Sequence, residues 1–101
     1  MHGAENEYAA LGMTGTRIEI LRLALTAEEI TAGDVVSELG ITRTAVIKQV
    51  APLVTAGLLI ERRAYTSRGS GRQTYWRADR ERIVAAFQAV VVRTFGINPF
   101  N

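Results

Sequence analysis

The sequence predicts a mainly α-helical domain that carries one small β-hairpin, an α+β chain. Three features carry that reading. Two helical segments, each preceded by a threonine able to cap it, are separated by a short turn at Gly40. Two strand-like runs flank a stretch rich in glycine and serine. A last amphipathic segment follows directly. The chain has 101 residues, room for one domain. Apolar residues make up 48% and charged residues 22%, which excludes a disordered or collagen-like chain.

Residues 1–13 read as an N-terminal arm, because Gly3 and Gly12 weaken any helix there. The first helix is expected from about Thr14 or Thr16 to Thr26, where Ile18, Leu21 and Leu25 recur at helical spacing and Ile20 and Ala24 widen the stripe. Residues 28–30 form a connector with one or two residues of strand. Thr31 and Asp34 then make a capping-box-like pair at the start of a second helix. Val35, Val36 and Leu39 form its buried stripe, and Gly40 ends it, since glycine takes the left-handed cap conformation cheaply.

The third helix, residues 42–56, begins at once with Thr42 as cap. Val46, Val50, Leu53 and Val54 share one face, and Gly57 ends it. Pro52 lies inside this span, so a kink or loosened turn is expected in its second half. Residues 58–65 and 73–78 read as strands joined by a basic, flexible tip, residues 66–72. Asp79 caps a final helix that runs to about Phe95, beyond which Gly96 and Pro99 exclude regular helix. The whole reads as one domain, residues 1–101: the arm, a core over 14–78, and a C-terminal helix and tail over 79–101.

Helices two and three, joined by a three- or four-residue turn with glycine, have the form of a helix-turn-helix. A hairpin directly after them makes it winged. Four stretches can be set beside a known family: Thr16-Arg17-Ile18-Glu19-Ile20-Leu21-Arg22-Leu23; Thr31-Ala32-Gly33-Asp34-Val35-Val36-Ser37-Glu38-Leu39-Gly40-Ile41-Thr42-Arg43-Thr44-Ala45-Val46; Leu53-Val54-Thr55-Ala56-Gly57-Leu58-Leu59; and Gly71-Arg72-Gln73-Thr74-Tyr75-Trp76-Arg77-Ala78-Asp79. In this order and spacing they resemble the winged helix-turn-helix transcriptional regulators of prokaryotes, especially the arsenic-repressor-like (ArsR-like) group. The resemblance covers about residues 16–82.

Charge distribution points the same way. Residues 1–41 carry two basic and seven acidic residues, whereas residues 42–77 carry seven basic and one acidic. Such asymmetry in a small domain suggests a positive face for a polyanion. With Val46, Val50 and Leu53 turned inward, Arg43, Thr44, Ile47 and Lys48 face away on helix three. An α-helix fits the major groove, where Arg43 could pair in bidentate fashion with guanine and Lys48 with phosphate. Thr44 suits a phosphate or a base edge. Gln49 either reads adenine or is solvated. Ile47 either touches a thymine methyl or is partly buried, and the sequence leaves both open. Thr31 and Thr42, at helix starts, are further candidates for the DNA backbone, as helix N-termini favour phosphate.

The hairpin adds Arg62, Arg63, Arg68, Arg72 and Arg77. Side chains alternate along a strand, so Arg62 and Arg63 cannot both face DNA. The resemblance implies that the tip lies along the minor groove or adjacent phosphate. One of Tyr75 and Trp76 must pack on the core and support the wing. The last helix has more apolar surface than one packing face needs. That surplus suggests a C2 homodimer through Ile83, Phe87, Val91 and Phe95, with Tyr8 and Leu11 from the arm. The resemblance supports this, since similar regulators dimerise through terminal helices.

Absences narrow the chemistry. There is no cysteine and a single histidine, His2. Disulfides, thiolate metal sites and a Ser-His-Asp triad are thereby excluded. Metal-sensing members of the resembled group carry cysteines near the start of helix two; here residues 29–34 hold none. No metal or other cofactor is expected, and no enzyme activity. No apolar run approaches the ~20 residues a bilayer requires, and no secretory signal is visible. The expectation is a cytoplasmic, nucleoid-associated, sequence-specific double-stranded DNA-binding regulator, most simply a repressor acting by occupancy as a homodimer. The alternatives are a winged-helix protein–protein interaction module and a non-specific nucleic-acid binder. Any small-molecule effector is unknown from sequence.

Overall fold

The computed structural model describes residues 14–65 and 71–97. Its elements are α1 (Gly15–Thr26), α2 (Ala32–Leu39), α3 (Arg43–Thr55), β1 (Leu59–Tyr65), β2 (Arg72–Ala78) and α4 (Arg80–Phe95). Among the described residues, four helices and one antiparallel hairpin in this order are the winged-helix architecture expected from sequence. The arm residues Tyr8 and Leu11 and most of the hairpin tip, including Arg68, lie outside the described residues.

Thr14 caps α1 by accepting the Arg17 amide at 3.3 Å. The buried face of α1 centres on Ile20, Leu21 and Ala24. Ile18, expected within that face, is instead 38% exposed. The helix is rotated so that Ile18 and Leu25 line a groove toward α4 while Ile20 and Ala24 face the core.

The capping box of α2 is complete. The Thr31 amide donates to the Asp34 carboxylate at 2.8 Å, and the Asp34 amide donates to the Thr31 hydroxyl at 3.2 Å. Gly40 adopts φ +66° and gives its amide to the Val36 carbonyl, ending the helix. α3 restarts two residues later, capped by Thr42. Val46, Val50 and Leu53 are buried against α1 and α2. Pro52 removes the donor that would reach the Lys48 carbonyl, yet the helix continues to Thr55. Val50 and Leu53, one on either side of it, are held in the core.

The turn out of α3 sets the hairpin's direction. The Gly57 amide donates to the Val54 carbonyl at 3.0 Å and the Leu58 amide to the Leu53 carbonyl at 2.9 Å, the paired bonds of a left-handed glycine stop. Gly57 has φ +81°, and a β-carbon there would sit 3.3 Å from Arg82 Nε. Arg82 reaches in from α4 to donate to the Ala56 carbonyl at 3.2 Å. Leu58 and Leu53 are both buried in the core.

β1 and β2 pair from Leu59↔Ala78 to Tyr65↔Arg72. Ile30 adds one residue of strand on the far side of β2, exchanging both backbone hydrogen bonds with Trp76 at 2.8 and 2.9 Å. This is the short strand the connector was expected to hold. Of the two adjacent aromatics it is Trp76 that supports the wing; it is 2% exposed. Its indole Nε1–H donates to the Glu61 carboxylate at 2.9 Å.

Asp79 caps α4, and Gly96 at φ +79° ends it. Among the described residues, α4 joins the core cluster through Ile83 with Ala86 and Phe87, and Val90 further along is also buried. Among the described residues no helix is long and apolar enough to cross a membrane. Trp76→Ala is expected to cost about 3–5 kcal/mol by cavity formation, and Thr31→Ala about 1 kcal/mol by loss of the cap, both read from denaturant midpoints.

Candidate nucleic-acid interface

The outward face of α3 holds the residues expected there. Arg43, Thr44 and Lys48 are exposed, and so is Ile47 at 50%. Ile47 is therefore not a core residue. Arg43 and Lys48 carry no ion pair and no side-chain hydrogen bond to any described residue. At the start of the helix the Thr42 hydroxyl accepts the Ala45 amide at 3.1 Å, so one of the free amides of that turn is already used. Thr31 is likewise engaged in its own capping box.

Gln49 has a different role from either one expected. Its side-chain oxygen accepts from Arg17 Nε at 2.8 Å, tying α1 to α3. A bidentate contact to adenine needs that oxygen and the amide nitrogen together. In this geometry the oxygen already accepts one hydrogen bond, from Arg17.

The hairpin separates its arginines by face. The register puts Arg62, Tyr75 and Arg77 on the outer face, and Arg63, Arg72 and Trp76 on the core-facing side. Arg62 and Arg63 thus point apart, as alternation requires. On the outer face, Arg62 makes two 2.7 Å hydrogen bonds to the two carboxylate oxygens of Glu29. Its guanidinium lies 4.2 Å from the centre of the Tyr75 ring, directly opposite on β2. The arginine reaches across β2 to the residue preceding Ile30, so one side chain clamps all three strands. On the other side Arg63 Nε stands 3.6 Å from Glu61, and Arg72 sits 5.4 Å from the centre of the Tyr65 ring.

These contacts sort the basic residues. Arg62, Arg63 and Arg72 have partners within the hairpin or its neighbouring strand residue. Arg77 is exposed beside a cleft also lined by Glu28 and Arg80. Arg43 and Lys48 have no such partner among the described residues. The hydrogen bonds from Arg62, opposed in part by desolvation, hold the Glu29 carboxyl below the ordinary carboxylate range; the same contact raises the Arg62 value. Sequence reading missed Glu29, Glu61, Tyr65 and Arg17 as structural partners. Only Glu29 left a trace: it directly precedes the residue placed in a strand.

α4 divides the residues expected at a dimer surface. Ile83 is a correction: it is 6% exposed and packs in the chain's own core, because it sits on the first turn, beside the hairpin root. Phe87 is half-buried and lines, with Ile18, Leu21, Leu25 and Ile83, an apolar groove of about 300 Å³ between α1 and α4. Val91 is half-buried, while Val84 and Phe95 are exposed. Among the described residues no cluster of histidine or acidic side chains could hold a metal ion.

No protein-family model matches the chain, and no curated protein matches it. Among solved structures it is similar to a possible transcriptional regulator from Methanosarcina mazei Go1, with a TM-score of 0.71 and 17% identity, over 91% of this chain and 78% of that one. At this identity the likeness is one of fold, and it agrees with the winged-helix architecture described above.

The Glu29–Arg62 clamp generates a pH expectation. The folded-state value of Glu29 is lowered, so its contribution to stability is complete above the unfolded value, about 4.3, and is lost as pH falls through the folded one. Denaturant midpoints measured from about pH 5 downward should fall more steeply for the wild type than for Glu29→Gln.

Proposed function

We propose that this protein is a sequence-specific, double-stranded DNA-binding transcriptional regulator of the ArsR-like kind. The observation that carries the reading is the outward face of α3, where Arg43, Thr44, Ile47 and Lys48 are all exposed and both cations lack an internal partner. In this reading α3 enters the major groove, Arg43 contacts a guanine edge, and Lys48 and Thr44 contact phosphate or base. The wing tip, residues 66–72, follows the minor groove or its phosphates.

The protein acts as a homodimer through Phe87, Val91 and Phe95, with Tyr8 and Leu11 added from the arm. Exposed Phe95, at 68%, and Val84, at 50%, support a partner on α4. Its operator is a pseudo-palindrome with half-sites roughly 34–36 Å apart. It represses by occupancy in the cytoplasm, associated with the nucleoid.

Selection of bound duplexes from a random library tests this. An inverted repeat should be enriched. Arg43→Ala should cost about 1–3 kcal/mol and relax preference at one base position per half-site. Lys48→Ala should weaken binding evenly across sequences and lower the salt slope by about 1 per contact. Absence of salt-dependent binding to any duplex would refute the proposal.

A further inference from the structure

The outward arc of α3 is not uniformly basic. At about 100° per residue, Arg43 and Lys48 stand about 140° apart around the helix, and Ile47, Ala51 and Thr44 fall between them. All five are exposed. The centre of the arc is therefore an uncharged strip, and its largest member is Ile47, 50% exposed. Elsewhere on the surface a single exposed isoleucine carries no message. Here it occupies the middle of the face that the two unpartnered cations frame, where a base-reading helix approaches the groove floor most closely. A branched apolar side chain offers no hydrogen bond to a base edge. The major-groove feature it can recognise is the 5-methyl group of thymine.

We infer that Ile47 is a specificity-determining residue that packs on a thymine methyl group, so that each half-site carries a T·A pair opposite it. Thr44 and Ala51 keep the strip shallow enough for that contact, and Arg43 and Lys48 flank it on guanine and phosphate. The inference rests on the regulator reading and goes beyond it in naming the base.

Replacement of thymine by uracil removes the methyl group and leaves the pairing edge intact. In the duplex enriched by selection, each thymine is replaced by uracil in turn, and binding is measured for the full-length wild type and for Ile47→Ala. Ile47 is exposed, and alanine is a strong helix former, so the variant should fold. Uracil at one position per half-site should weaken wild-type binding roughly fourfold per half-site, the value of one buried methyl-sized group, and leave Ile47→Ala binding unchanged. If uracil has no effect on the wild type at any position, or weakens both proteins equally, the assignment of Ile47 is overturned while the regulator reading stands. If the wild type binds no duplex at low salt, both fall, and that result appears before any uracil comparison is made.

Discussion

Trp76 joins parts of this domain that lie far apart in sequence. Its backbone exchanges both hydrogen bonds with Ile30, which fixes the loop between α1 and α2 to the middle of the sheet. Its side chain is the largest wholly enclosed in the core. Its indole donates to Glu61, one strand over, so a buried polar group is satisfied. The hairpin root is therefore set by the same residue that closes the core. The direction of the wing relative to α3 follows from that and from the glycine turn at Ala56, Gly57 and Leu58, which Arg82 braces from α4.

The electrostatics follow from this geometry. A short antiparallel hairpin that carries Arg62, Arg63 and Arg72 repels itself unless carboxylates or aromatic faces intervene. Glu29, Tyr75, Glu61 and Tyr65 do so. Exposed pairs of this kind contribute little net stability, typically under about 1 kcal/mol. What they do is fix where guanidinium groups sit. On α3, Arg43 and Lys48 receive no such neutralisation from the described residues. The face that α3 turns outward thus differs in kind from the basic surface of the wing.

Much of the secondary structure was legible because its determinants are local. The Thr31 and Asp34 box, the Thr42 and Asp79 caps and the left-handed glycines at 40, 57 and 96 each act within four residues. Helical spacing of Val46, Val50 and Leu53 was enough to leave Arg43, Thr44 and Lys48 outside. Strand alternation was enough to separate Arg62 from Arg63. Ile18 was misassigned because spacing gives a stripe but not its centre, which depends on where α4 packs.

The sequence by itself determined the element order, the caps and stops, and which side of α3 is free, since all of these follow from periodicity and backbone preference. Tertiary structure alone decided the partners: Arg62 with Glu29, 33 residues away, and Arg17 with Gln49, 32 residues away. It also decided that Ile83 belongs to the core and that Ile47 does not. The physical reason is the same in each case. Whether an arginine is free or engaged, or an isoleucine buried or exposed, depends on what the folded chain brings within about 4 Å of it. No local pattern encodes that distance.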